Sequence, residues 1–318
     1  MDQTVLFSII GFALAGYAVV ANDVIQTLGT FLTSNAKRSW YVLWIYAASI
    51  LSVTLLIGWY LNNGDVSFGR LSNIPLPEII QWWYILPPLM LLILTQIGLP
   101  VSTTFMILSV FSTSQVIEKM VLKSVLGYAV AFTFAFIVYL LISRKFESKS
   151  ALDKTQLKSH KKFWLVAQWF STAFLWTQWL IQDFANIFVY LPRQLNLYEL
   201  LGALLFLVVL LALVFKRKGG KIQEVVKQKT NSANIRSATL IDLTYGIVLY
   251  IFTVVNPIPM STTWTFVGIL AGREYAINIL LNKHLIKQTY KNVFRDLYKV
   301  NIGLAISIIL ALVIQQLK

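Results

Sequence analysis

The chain has 318 residues, 57% of them hydrophobic and 13% charged, with a mean hydropathy of +0.69 and a formal net charge of +14. A soluble domain carries roughly twice that charged fraction, so the composition excludes a soluble enzyme, or a soluble domain on an anchor, and requires an integral membrane protein. There is no cysteine, and His160 and His284 both lie among lysines, which removes disulfides, thiolate metal sites and histidine-centred chemistry.

A helix needs about 20 apolar residues to cross a bilayer. In chain order such stretches fall at 4–33, 40–61, 77–97, 100–117 and 124–142, then at 162–191, 197–215, 239–257, 259–273 and 297–316. The first has no basic start and runs into Asn22-Asp23 instead of a small-residue cleavage site, so it reads as a retained helix. The pattern predicts an all-α membrane protein of ten crossings, with a first repeat over 1–142, a basic linker over 143–161 and a second repeat over 162–318. In each half the first crossing is overlong with a polar phrase in its middle, and the fourth is short and opens on proline. Both are predicted to be broken or re-entrant, which a membrane tolerates where unwound backbone lines a cavity.

Other residues have plainer readings. Glu78 and Asp242 stand near the start of the third crossing of each half, where an acid complements the helix dipole. Trp40, Tyr41, Trp82 and Trp83 read as an interfacial aromatic belt. The run 282–299 has Lys283, Lys287, Lys291 and Arg295 at four-residue spacing, which predicts an interfacial amphipathic helix, the alternative being the solvated end of a long helix.

Two phrases recur at nearly one offset. Pro100-Val101-Ser102-Thr103-Thr104 returns 159 residues later as Pro259-Met260-Ser261-Thr262-Thr263, and Asn22-Asp23-Val24-Ile25-Gln26 is echoed 160 residues later by Gln182-Asp183-Phe184-Ala185-Asn186. The chain is thus a duplicated unit. Five crossings per half is an odd number, so the second half must enter the membrane from the opposite side. Charge agrees: 22 of the 27 basic residues fall on one side of the ten-crossing arrangement, leaving Arg70, Lys119, Lys123, Arg193 and Lys318 on the other. The positive-inside rule makes the basic side cytoplasmic, in the plasma or inner membrane, with both termini outside. The net charge therefore belongs to topology and anionic lipid heads, not to nucleic acid.

The repeated phrases carry the chemistry. Asp23 and Asp183 are acids set deep in apolar stretches, which is costly unless each is paired, protonated or bound to a cation. Their structural alternative is hydrogen-bonded helix packing. With Asn22, Gln26, Gln182 and Asn186 beside them, they offer hard oxygen ligands suited to Na⁺. No arginine or lysine lies within these crossings, so an anion would be held by neutral donors. The hydroxyls of Ser102, Thr103, Thr104, Ser261, Thr262 and Thr263, each triplet following a proline at a helix start, are such donors, at the positive end of a helix dipole. Their alternative is interhelical hydrogen bonding in a tight bundle.

These residues resemble a known family. The stretch 16–30, GYAVVANDVIQTLGT, is similar to the first signature of the inorganic phosphate transporter (PiT) family, 182–186 to its second copy, and the two Pro-x-Ser-Thr-Thr phrases to its P-V-S-T-T-H element. The order and spacing of all four motifs span the chain. The resemblance implies inverted repeats with extracellular termini and import of inorganic phosphate coupled to Na⁺ or H⁺, with no other cofactor. It assigns Ser102, Thr103, Thr104, Ser261, Thr262 and Thr263 to phosphate. Asn22, Asp23, Gln26, Gln182, Asp183 and Asn186 go to the coupling cations. A homodimer is compatible with this. The sequence departs from the pattern at Gln26 and Gln182 (asparagine in the family), at Ile25, and at Phe105 and Trp264, which replace its histidine. Trp176, Trp179, Phe184 and Phe188 are expected to crowd the second site.

Two alternatives stay open at this level. Phosphate near neutral pH keeps a proton that a carboxylate can accept and sulfate has none, but the difference vanishes if both acids are neutralised by Na⁺. An intramembrane enzyme would use the acids as general acid and base; the Tyr-Asp or Gly-x-Gly-Asp context of such enzymes is missing around Asp23 and Asp183.

Overall fold

The computed structural model describes residues 2–97, 99–146, 161–217, 234–255 and 257–317. Most of the basic linker 143–161, and most of the loop expected between 216 and 236, lie outside the described residues. Among the described residues ten α-helices follow in order: α1 (Gln3–Ser34), α2 (Trp40–Leu61), α3 (Leu86–Ile97), α4 (Ser109–Phe111), α5 (Ser114–Phe146), α6 (Lys161–Phe188), α7 (Leu197–Lys216), α8 (Ile235–Val255), α9 (Thr262–Leu281) and α10 (Ile286–Leu317). A 3₁₀ turn at Trp82–Ile85 leads into α3, a π-helical turn at Thr104–Leu108 leads into α4, and a 3₁₀ turn at Lys283–Leu285 precedes α10.

Helix ends follow local chemistry. Asn196 accepts from the backbone N–H groups of Tyr198 and Glu199 at 2.9 and 3.0 Å, while Glu199 accepts from the N–H of Asn196 at 2.9 Å; this capping box starts α7. Asp2 caps α1 through the N–H of Thr4 at 3.2 Å. Pro87 and Pro88 fall in the first turn of α3, where a missing N–H costs little.

Among the described residues six helices are long and apolar enough to cross a membrane: α1, α2, α5, α7, α8 and the stretch containing α10. The third and fourth predicted crossings do not each span. At 1.5 Å per residue α3 is about 18 Å long, short of the ~30 Å hydrocarbon core. The segment from Thr104 to Phe111 is shorter still. Instead the irregular stretches around 99–103 and 257–261 meet inside the molecule. The first predicted crossings differ in the other direction, because α1 and α6 run unbroken through Asp23 and Asp183. Side-chain donors from Asn22, Thr103 and Asn186 reach these acids without any unwinding of the backbone. The run 286–299 is the first part of α10, the solvated-end alternative, and not a separate interfacial helix.

Corresponding helices pack side by side in opposite directions. Along α1 and α6, the Phe12 and Phe188 rings are 5.6 Å apart near one end and Asn35 Nδ2 donates to Gln168 Oε1 at 2.8 Å near the other. Along α2 and α7, Trp44 Nε1 donates to Val208 O (3.0 Å) and Trp59 Nε1 reaches Leu195 O (2.7 Å) through the turn before α7. The fourth predicted crossings differ from each other: α4 has three residues and packs on α10, whereas α9 runs for 20 residues, beyond the short 259–273 stretch expected, and packs on α5. The α5–α9 contact is tight because Gly268 and Gly272 let the backbones approach. A Cβ on Gly272 would lie 2.2 Å from Phe132 O, and one on Gly268 2.6 Å from Tyr128 O. This is small-xxx-small packing, as membrane helices use in place of a hydrophobic drive.

Neither acid assigned to dipole capping does that work. Glu78 is exposed and precedes the 3₁₀ turn without bonding it. Asp242 lies well inside α8 and is fully buried.

Candidate functional site

The antiparallel packing of α1 on α6 puts the two acidic phrases at one level, and the two Ser-Thr-Thr phrases close over them. Asp23 accepts from Asn22 Nδ2 at 2.7 Å through Oδ1 and from Thr103 Oγ1 at 2.5 Å through Oδ2. Asn186 Nδ2 donates to Asp183 Oδ1 at 2.6 Å and also points at Thr103 Oγ1 (3.1 Å) and Thr104 Oγ1 (3.3 Å). Thr103 and Asn186 therefore bridge Asp23 to Asp183. Both carboxylates are essentially sealed from solvent, at 1% and 0% exposure, as are all six hydroxyl residues of the triplets.

The two triplets clasp each other reciprocally. Thr104 Oγ1 donates to Met260 O at 3.2 Å, and its counterpart Thr263 Oγ1 donates to Val101 O at 3.4 Å. Ser102 and Ser261 play matching parts as caps: Ser102 Oγ accepts from Phe105 N at 3.3 Å and Ser261 Oγ from Trp264 N at 3.2 Å. Asn22 ties α1 to the first break through Val101 O at 3.3 Å. Thr262 faces Asp183, and Tyr245 Oη donates to Thr262 O at 2.9 Å.

One turn of α6 carries oxygens with nothing to accept from. Gln182 Oε1, Asp183 Oδ2 and Asn186 Oδ1 are all buried and have no hydrogen-bond partner. Positions 183 and 186 share a helix face, with 182 on the same turn, and buried acceptors left bare are costly. Among the described residues no group of three His, Cys, Asp or Glu gathers for a divalent metal. A carboxylate with amide and hydroxyl oxygens suits a hard monovalent cation, whose charge would also offset two neighbouring acids in a dry interior.

Ten of the twelve expected site residues meet in this network or its caps, and two stand aside. Gln26 is half-buried and reaches only Asn22 Oδ1, at 3.4 Å. Gln182 spends its amide nitrogen on α8, at Thr253 Oγ1 (2.9 Å) and Leu249 O (3.5 Å), and its oxygen has no hydrogen-bond partner. The four bulky residues expected to crowd the second site pack chiefly on one another and on neighbouring helices. Trp176 stacks on Trp179 with centroids 5.0 Å apart and donates to Ala47 O of α2 at 3.0 Å, while Phe184 and Phe188 stack towards Phe12.

Sequence reasoning missed three buried charges. Asp242 accepts from Thr30 Oγ1 (α1) at 2.5 Å and Thr172 Oγ1 (α6) at 2.6 Å, pinning three helices together. Gln168 Nε2 donates to Thr172 Oγ1 at 3.4 Å, and Asn35 connects Gln168 to Arg38, so this cluster runs out to the basic end of the bundle. Arg70 and Lys123, taken as loop charges, are 2% and 6% exposed and bind carbonyls beside the second break. Both stand outside the predicted crossings, next to the second Pro-x-Ser-Thr-Thr phrase.

No protein-family model matches the sequence, and no curated protein matches it. A solved structure described as the sodium-dependent phosphate transporter is similar over 100% of both chains, with a TM-score of 0.63 and 17% sequence identity. At that identity the likeness establishes the fold alone, an all-α architecture that this chain shares with that structure.

Proposed function

We propose that the protein is a secondary active transporter that imports inorganic phosphate with Na⁺. The observation that carries this reading is the bridged pair Asp23–Thr103–Asn186–Asp183 beside three bare oxygens on one turn of α6. Cations at the acids leave the Ser-Thr-Thr hydroxyls and the free N–H groups at two helix starts for an oxyanion. The fold likeness to a sodium-dependent phosphate transporter supports the same substrate and ion.

In this reading the halves 1–142 and 162–318 are inverted-topology repeats around the site, both termini are extracytoplasmic, and the basic end faces the cytoplasm of the plasma or inner membrane. The antiparallel packing of α1 on α6 and α2 on α7, with the reciprocal Thr104 and Thr263 bonds, supports the inversion. Asn22, Asp23, Asp183 and Asn186 hold the cations, with Gln26 and Gln182 as outer supports. The six hydroxyl residues hold phosphate once they turn from their present partners. The protein has no enzymatic role in this account.

Uptake into proteoliposomes tests the reading. Labelled phosphate is expected to accumulate under an inward Na⁺ gradient, with arsenate competing and sulfate competing weakly. Asp23→Asn is expected to insert normally and to abolish concentrative uptake. Accumulation of sulfate in preference to phosphate would reassign the substrate, and uptake driven by a pH gradient alone would reassign the ion.

A further inference from the structure

The segment between α2 and α3 folds inward. Asp65 accepts from Ser67 N (2.7 Å), Ser67 Oγ (2.6 Å) and Gly69 N (2.8 Å), winding a tight turn that delivers Arg70 into the molecule. The turn is fastened to the chain before α7 by Leu195 N donating to Gly64 O at 3.0 Å and Arg193 Nη2 donating to Ile74 O at 3.1 Å. Arg70 Nε donates to Ile181 O at 2.8 Å, two residues before Asp183, and Nη1 makes a long 3.5 Å contact with Pro257 O. Lys123, near the start of α5, donates to the next carbonyl, Ile258 O, at 2.5 Å. Two cations thus converge, from different elements, on consecutive carbonyls just ahead of Pro259-Met260-Ser261-Thr262-Thr263. They approach from the end of the bundle opposite the basic turn at Lys37 and Arg38.

We propose that Arg70, backed by Lys123, is an anion-binding station on the side of the second break away from the basic end, which receives the oxyanion and passes it to the Ser261–Thr263 helix start. Burying two positive charges near each other costs free energy, and carbonyl dipoles such as those of Ile181, Pro257 and Ile258 offset it less well than an opposite charge does. The arrangement becomes favourable when an anion joins it. Arg70 leaves its Nη2 N–H groups without a partner among the described residues, and a guanidinium edge matches two oxygens of a tetrahedral oxyanion. Asp183 lies close enough for its charge to act on Arg70. A cation on Asp183 cancels that action and leaves the guanidinium to the anion, so the station also couples cation to anion.

This inference rests on the transport reading, and kinetics in proteoliposomes with labelled phosphate separate the two. Arg70→Gln is expected to raise the phosphate KM roughly tenfold or more, as for a lost charge-assisted hydrogen bond, with the maximal rate within about twofold. Arg70→Lys is expected to recover most of that affinity, and Lys123→Gln to raise KM about threefold. A structural latch predicts a different pattern: a reduced maximal rate at unchanged KM, with Arg70→Lys no better than Arg70→Gln. That pattern overturns the proposal, and so does an unchanged KM in Lys123→Gln, which decides the matter if Arg70→Gln fails to insert. A wild-type protein that accumulates no oxyanion overturns the transport reading along with it.

Discussion

Thr103 is the residue on which the site turns, because its one hydroxyl donates to Asp23 and accepts from Asn186. Thr103→Val keeps the shape and removes both bonds, stranding one oxygen of Asp23 at a cost of about 1–3 kcal/mol. Phosphate uptake is expected to fall at least tenfold, with Thr103→Ser close to wild type; equal uptake by the valine variant would take Thr103 out of the mechanism. This residue was legible in the sequence because its phrase occurs twice. Asp242 was not, since 242 − 159 = 83 and 242 − 160 = 82 place its counterpart at Trp83 or Trp82. An unrepeated acid near a helix start reads as a dipole cap, and only the packing of Thr30 and Thr172 from two other helices identifies it as a buried pin. Asp242→Val leaves both hydroxyls unpaired and is expected to lower the thermal midpoint in detergent by several degrees, with Asp242→Asn milder because one acceptor remains. A valine variant with the wild-type midpoint would show that the three helices need no such pin.

At the scale of elements, hydropathy located nearly every helix but misjudged which were whole. The acid phrases in α1 and α6 signalled unwinding, yet Asn22, Thr103 and Asn186 supply the bonds that unwound backbone would otherwise provide. The true interruptions lie at the proline phrases, where Pro100 and Pro259 cannot donate a backbone hydrogen bond. Arg70 and Lys123 were out of reach for a related reason. A polar stretch between apolar runs is assigned to solvent, and nothing short of the folded Asp65 turn reveals that this one re-enters. The α5–α9 seam makes a separate prediction. Gly272→Ala drives a methyl group against Phe132 O and is expected to destabilise the protein by about 1–3 kcal/mol. Gly202→Ala on α7, with open space around it, is expected to be neutral or slightly stabilising. Thermal denaturation of the two variants in one detergent checks the contrast.

For the whole molecule, the claim is that two halves of opposite orientation share one site. The absence of cysteine from the sequence allows single cysteines to report sidedness on a clean background. Cysteines at Lys37 and Lys283 are expected to react with an impermeant maleimide only from the cytoplasmic side, and those at Asp65 and Glu199 only from outside. Labelling of Lys37 and Glu199 positions from one side would break the inverted arrangement. The fold makes geometric sense of this pairing. Antiparallel α1 and α6 bring Asp23 and Asp183 together, and the two Ser-Thr-Thr phrases, one leading into the π-helical turn and one starting α9, lie across them.

The most direct test of that shared site is joint measurement of labelled phosphate and labelled Na⁺ entering proteoliposomes that carry wild-type protein or Asp183→Asn. The account predicts that the wild type concentrates phosphate above the external level with Na⁺ entering in fixed proportion, and that the variant, correctly inserted, does neither. Equal phosphate concentration and an unchanged Na⁺ ratio in Asp183→Asn would contradict it.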